Sequence, residues 1–572
     1  MKIAITGIGI ISAIGRDQTE TLASLQMEKS GIGAMQYLRS THTDLPVGEV
    51  KFSNEELRAL LQIPHTEAIS RTSLLGLSAA KEALCQANIQ DVQDMAFISG
   101  TTVGGMDTTE CYWEDWKNGQ KLEYIAQHEA GASTKKIAEH IGNFAYSTTP
   151  STACSSALNS IMIGANMLRT RKVRRALVGG AESLSKFHLN GFNSLMILDA
   201  QPCRPFDATR AGLNLGEGAA YMVIEPEEEA LERGAKILGY IAGYANACDA
   251  FHQTASSADG EGAFRAMDKA LQMAHVCPCH VDYLNAHGTG TPNNDASEST
   301  AIQRLFGENI PKISSTKSFT GHTTSASGSI EAVICLLCMQ HGFVPANLHW
   351  EHGDENLIRP VVHNEKAKME YVLCNSFGFG GNNSSLLLSK TVGTDLSVAD
   401  APVVITQSAI VLEADPKQYV SATEARRMTP QTKQTLAVAM KALECQSTKV
   451  DAILCATQYG CMRNSVLFLN DMLSSNEQEV KPTPFIQSTH NTIASMLAIK
   501  LHNHDYNITY SHGEQSWHDA MQDVQMQMQL GMLQSALIIA FDEKVEEWDE
   551  MLQKVSYSSQ NIAKAQIITL TK

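Results

Sequence analysis

Chemistry in this chain could begin at one thiol. Cys154 lies among small residues in Ser151-Thr152-Ala153-Cys154-Ser155-Ser156-Ala157. An apolar run follows from Leu158 to Leu168, with Ile161, Met162, Ala165 and Leu168 at helical spacing. Small residues suit a tight turn into that helix. The sulfur would then sit at a helix N-terminus, where exposed N–H groups favour a thiolate. A free thiol has a pKa of about 8.5, so a nucleophilic cysteine needs such help at neutral pH. Taken alone, it would be a small buried hydrophobe. Two downstream histidine motifs turn the reading towards acyl chemistry, Asn285-Ala286-His287-Gly288-Thr289-Gly290-Thr291-Pro292 and Lys317-Ser318-Phe319-Thr320-Gly321-His322. Both lie in loops rich in glycine and threonine, where backbone can approach a ligand closely. A fourth motif, Asn375-Ser376-Phe377-Gly378-Phe379-Gly380-Gly381-Asn382, is a flexible loop that could offer backbone N–H groups to a developing oxyanion.

In this order the four motifs resemble those of the β-ketoacyl-[acyl carrier protein] synthases, elongating condensing enzymes of the thiolase superfamily. The likeness runs from Met1 to about Lys390. It implies a duplicated thiolase-like α/β fold, layered α-β-α-β-α, with the active site between two pseudo-symmetric halves. It also implies decarboxylative Claisen condensation, in which Cys154 takes an acyl group from a thioester and malonyl-acyl carrier protein supplies the carbanion. Two imidazoles donating hydrogen bonds to the enolate oxygen suit His287 and His322. On the family pattern Cys154, His287, His322 and Lys317 are catalytic. The N–H groups of Cys154 and Phe379 form the oxyanion hole, and Phe379 also gates the site. Glu331 starts an apolar helical run, where a carboxylate is buried at a cost unless paired. It matches the family glutamate of the lysine network. Thr289 and Thr291 match residues that hold the phosphopantetheine arm, and Val103 lies where the acyl pocket is lined. The expected partners are an acyl carrier protein and, in a homodimer or heterodimer, a second synthase-like subunit. No cofactor beyond the carrier's phosphopantetheine is expected. Two departures bear on pocket shape. Ser325 and Ser327 stand where glycine and alanine are usual, and Ser151 where an acidic residue is common. Neither is expected to touch the catalytic trio.

The elements that must position these residues read as alternating strands and helices, which argues for an α/β protein with a buried sheet. Lys2 to Gly9 reads as a first strand, and Gly7-Ile8-Gly9 lacks the third glycine of a dinucleotide site. Arg71 to Cys85 reads as a helix, while Ala96–Gly100, Ala176–Gly180 and Tyr221–Ile224 read as strands. The net charge of −17 argues against a nucleic-acid binder. An acidic partner would need a local basic patch, for which Arg169, Arg171, Lys172, Arg174 and Arg175 are the candidates. Thirteen scattered cysteines without a signal peptide point to a reduced, cytoplasmic protein. Cys277-Pro278-Cys279-His280 lacks a second ligand pair, so no metal is expected. No apolar run is long enough to span a membrane.

The expected organisation is 1–230 for the half with the nucleophile, 231–390 for the half with the histidines, a linker at 391–401, and a domain at 402–572. In that last domain the first half starts again. Arg426-Arg427-Met428-Thr429 is expected to begin a helix, as Arg71 does, and Thr457 and Met462 match Thr101 and Met106. A shift of 360 residues aligns Ala138, Asn143, Tyr146, Thr149, Ser156 and Ala176-Leu177 with Ala498, Asn503, Tyr506, Thr509, Ser516 and Ala536-Leu537. Glu514 then stands at the Cys154 position and the histidine motifs have no counterpart, which predicts a catalytically silent half-synthase. His490, His502, His504, His512 and His518 read as structural or solvated. The alternatives are a non-catalytic chain-length or scaffolding partner and a thiolase-type acyltransferase, for which Cys374 could be the second thiol. The appendage favours a specialised polyene or polyketide pathway over ordinary fatty acid elongation.

Overall fold

The computed structural model describes all 572 residues except 400, 445–448 and 572. A ten-stranded sheet runs in the order Tyr146–Thr148, Met95–Gly100, Arg175–Glu182, Gly218–Pro226, Ile3–Ser12, Gly239–Cys248, Asn382–Ser389, Tyr371–Gly378, Tyr283–Asn285 and Lys312–Ser314. The two halves of five join where Ile3–Ser12 meets Gly239–Cys248, antiparallel, from Ile3 opposite Ile241 to Ile5 opposite Gly239. Each half repeats one pattern: three parallel strands, then two antiparallel ones nearest the join. The strands are apolar along both faces, as strands covered on both sides must be.

Helices Arg71–Gln86 and Glu261–Ala274 cover one side of the two halves. Helices Ser156–Arg169 and Ser327–His341 pack together beneath the other. Every residue of Ser156–Arg169 is buried, and so is Ser327–His341 through Met339. A helix without a polar face belongs inside a protein, and these two form the middle layer. Their N-termini carry the nucleophile turn and the second histidine loop.

A third copy of the five-strand unit follows. Its strands lie in the order Tyr506–Tyr510, Ala452–Ala456, Ser535–Asp542, Ile562–Leu570 and Ile405–Gln407, with the same parallel and antiparallel senses as the first half. Helix Ser516–Gln529 repeats Ser156–Arg169 at the same 360-residue shift. The small turns repeat as well. Thr101 Oγ1 donates to Glu182 and accepts from the Gly104 N–H, while Thr457 Oγ1 donates to Asp542 and accepts from the Gly460 N–H. One expectation fails here. The long helix is Pro430–Leu443, capped by Thr429, so Arg426-Arg427-Met428 precedes it. Proline at the first helical position fixes that start.

This third unit docks on the first half, edge to edge. The Ser151 N–H donates to the Thr509 carbonyl at 2.8 Å, and the Ser511 N–H donates to the Thr149 carbonyl at 2.9 Å. Under the 360-residue shift each bond is the image of the other, so the two units meet about a pseudo-two-fold axis as identical subunits would. An apolar seam backs this pairing. Phe468, Phe485 and Trp548 from the third unit pack with Trp113, Trp116, Phe187 and Phe192 from the first. The Trp113 indole N–H also reaches Asn470 Oδ1 at 2.8 Å.

Candidate active site

Cys154 lies in the turn just ahead of helix Ser156–Arg169, as the small residues predict. The turn is strained: Ala153 has φ +54°, in the left-handed region. A left-handed conformation costs a residue with a Cβ roughly 1 kcal/mol or more. The matching position in the silent copy is Gly513, with φ +65°, where the same turn costs little. Cys154 is 6% exposed. Its sulfur receives the N–H groups of Phe379 and Cys154 itself, which stabilise negative charge, as does nearby Lys317. Burial outweighs all three and pushes the thiol up to about 12. Burial thus works against the thiolate that the helix N-terminus favours.

His322 Nε2 lies 3.1 Å from Cys154 Sγ. Its other ring nitrogen, Nδ1, is 3.1 Å from the Ser327 hydroxyl. The His287 ring stands nearly perpendicular to that of His322, with centroids 5.3 Å apart. Glu298 holds the His287 loop, accepting from the His287 and Gly288 N–H groups at 2.8 Å each. His287 Nδ1 has no hydrogen-bond partner among the described residues. Burial, then the charge of Lys317, holds both imidazoles well below the ordinary histidine value, so both are neutral. Behind them Lys317 Nζ meets Glu331 Oε1 at 2.5 Å, each side chain 1% exposed. Burial raises Glu331 to about 7 against the pull of Lys317. The Thr289 and Thr291 hydroxyls lie 2.9 Å apart on the His287 loop. Phe379 stacks on Phe192 at 5.5 Å, and Val103 packs against the same apolar cluster.

Several expectations need correction. Ser327 does touch the catalytic trio, through His322. Ser325 donates to buried Glu182, which also accepts from Thr101 and the Thr102 N–H and is raised to about 7 by burial. Of the basic patch, Arg171, Lys172 and Arg174 remain exposed. Arg169 is buried against Ser397 and Tyr244, Arg174 pairs with Glu229, and Arg175 pairs with Asp94 and Glu225. Cys374 faces the Gly328 carbonyl and Cys335 inside the core. His490 and His512 are structural, as read, but His490 reaches the site: its Nδ1 lies 3.0 Å from Ser151 Oγ and 2.9 Å from the Thr102 carbonyl. Glu298 and Asn491 were not singled out from sequence, and Ser327 only as a departure from pattern. Glu298 lies eleven residues beyond His287 on a polar helix, and Asn491 is contributed by the third unit. Among the described residues, no group of three or more His, Cys, Asp or Glu side chains is placed to hold a metal ion, and no helix is long and apolar enough to cross a membrane.

The family described as "Beta-ketoacyl synthase, N-terminal domain" matches residues 1–230, and "Beta-ketoacyl synthase, C-terminal domain" matches 238–351. A further "Beta-ketoacyl synthase, N-terminal domain" family matches 405–572. The 3-oxoacyl-[acyl-carrier-protein] synthase 2 of Vibrio harveyi is 31% identical over 417 residues, covering 68% of this chain and 98% of the relative. The solved ishigamide ketosynthase/chain length factor is 29% identical with a TM-score of 0.65, covering 68% of this chain and 99% of its own. The PfaC keto synthase-chain length factor has a TM-score of 0.80 over 100% of this chain and 78% of its own, at 17% identity. That last likeness is one of fold, and it includes the third unit.

Proposed function

The chain belongs to the β-ketoacyl synthase family, and from that premise we propose that it condenses an acyl thioester with malonyl-acyl carrier protein at Cys154. The contact between Cys154 Sγ and His322 Nε2, with neutral His287 beside it, carries this reading. Cys154 Sγ attacks the acyl carbonyl. The carrier's C–S bond breaks, and the thiol proton ends on the departing pantetheine sulfur. The tetrahedral oxyanion is held by the N–H groups of Phe379 and Cys154. Malonyl thioester then loses carbon dioxide, and the electron pair of that C–C bond becomes an enolate. Neutral imidazoles donate to the enolate oxygen without the cost of discharging a buried cation. The Ser327 hydroxyl, donating to His322 Nδ1, leaves the proton on Nε2, facing the substrate. The enolate carbon attacks the acyl-Cys154 carbonyl, the Cys154 C–S bond breaks with its electron pair on sulfur, and a proton taken up from water restores the thiol, a two-stage covalent scheme. Burial, and after it the Lys317 ammonium behind them, holds the histidines unprotonated. Thr289 and Thr291 offer hydroxyls to the phosphopantetheine arm.

The non-catalytic reading fits residues 405–572 alone, where Glu514 replaces the nucleophile and stands exposed. We propose that this unit serves as the second synthase-like subunit, supplied in cis, and that Phe485 and Phe468 wall the far end of the acyl pocket. Likeness to a ketosynthase/chain length factor supports an acyl chain built over several extensions. In the test, His287→Ala and His322→Ala still acylate Cys154 but lose about 10²–10⁴-fold in condensation. Equal loss of both half-reactions, or of neither, would remove the histidines from this role.

A further inference from the structure

We propose that Asn491, on the silent third unit, is a latch that holds the Phe379 loop over Cys154, making that unit a working part of the active site. The inference rests on the reading of Cys154 as the acylated nucleophile. Asn491 Nδ2 donates to the Phe379 carbonyl at 2.9 Å. The Phe379 N–H, on the other side of the same residue, faces Cys154 Sγ. One hydrogen bond from the third unit thus fixes the orientation of the residue that supplies an oxyanion donor. Next door, His490 Nδ1 contacts the Thr102 carbonyl and Ser151 Oγ, so two consecutive residues clamp both walls of the nucleophile turn.

The clamped loop turns on two glycines. Gly380 and Gly381 have φ +86° and +72°, conformations open to glycine. A Cβ on Gly380 would lie 2.8 Å from Asn491 Nδ2 and 3.1 Å from the Ser495 Cβ, so the loop is seated directly on the third unit. Asn491 Oδ1 and Ser495 Oγ are buried there with no hydrogen-bond partner among the described residues. Such orphans are rare in native proteins and call for an explanation. In the closed loop the Gly380 N–H is spent on the Gln253 carbonyl and the Gly381 N–H on the Gly378 carbonyl. A loop swung off Cys154 would free those N–H groups beside two waiting acceptors. Asn491 is therefore a positioning residue: its amide N–H groups hold the closed state, and its spare oxygen, with Ser495 Oγ, receives the open one.

The test separates gate from fold. In Asn491→Leu and Asn491→Asp, which lose the donor at nearly constant size, iodoacetamide should alkylate Cys154 at least five-fold faster. Condensation kcat should fall at least ten-fold, with KM changed less. Gly380→Ala, which pushes the latch apart from the loop side, should show the same opposite-signed pair. General destabilisation would not speed alkylation while melting stayed at the wild-type temperature. Alkylation reads the thiol's accessibility and its thiolate fraction, which rates taken across pH separate, and it needs no condensation, so it measures the gate whether or not the condensation reading holds. Wild-type rates of both alkylation and condensation in the Asn491 variants would overturn the latch. If the variants do not fold, hydrogen exchange on wild-type protein decides. On acylation of Cys154, amides of 379–382 and 488–495 should change together, and a change in the loop alone would overturn the proposal.

Discussion

At the residue scale, two copies of one turn show what the nucleophile demands. Ala153 bears a left-handed backbone ahead of Cys154, while Gly513 relieves the same turn ahead of Glu514. The catalytic copy thus keeps a strain that the silent copy has shed. The motif, its helix and the two histidines were legible because catalysis restricts residue types at short spacing. The thiol's protonation state was not, because burial depends on what closes over the turn. With burial holding the thiol up at about 12, the thiolate fraction keeps growing with pH beyond the ordinary cysteine range. Alkylation of wild-type Cys154 should therefore rise close to ten-fold per pH unit from 7 to 10, read by mass after iodoacetamide. A plateau near the ordinary value of about 8.5 would mean that the thiolate is stabilised more than the geometry allows. Ser327 was seen in the sequence only as a departure from pattern. Its role depends on a helical turn that brings its hydroxyl back to His322.

At the scale of elements, the short helix Lys317–Thr320 and the buried helix Ser327–His341 are tied by the Lys317–Glu331 pair. Removing one member of a fully buried pair leaves a charge with nothing to offset its desolvation, a loss of about 3–5 kcal/mol. Lys317→Met should destabilise the protein by that order in denaturant unfolding, and least at low pH, because Glu331, already raised by burial, can then take a proton. The double variant Lys317→Met with Glu331→Leu should recover the stability without recovering condensation, since the charge behind the histidines is gone. A double variant with full activity would make the pair purely structural. The spacing of Glu331 on an apolar run pointed to this pair from sequence. The threefold use of one five-strand unit was expected from the family resemblance and the 360-residue repeat, and not from spacing within the second half, which shares strand order with the first rather than residues at fixed spacing.

At the scale of the whole molecule, the chain pairs with itself. The 360-residue repeat was readable in residues such as Tyr146 and Tyr506, but its docking was not. Two strand edges 360 residues apart leave no trace in local periodicity. Pairing of Thr149–Ser151 with Thr509–Ser511 closes an edge that would otherwise be open to another chain. It also brings His490 and Asn491 against the nucleophile turn and the Phe379 loop. The surroundings of Cys154 are thus assembled from all three units. The central claim is that all covalent chemistry passes through the one thiol of this assembly. Native mass spectrometry of the full chain with acyl-carrier proteins of several chain lengths, wild type beside Cys154→Ala, tests it most directly. The account predicts one acyl group per chain on the wild type and none on the variant. No adduct on folded wild type from any donor, or an adduct that survives in Cys154→Ala, would contradict it.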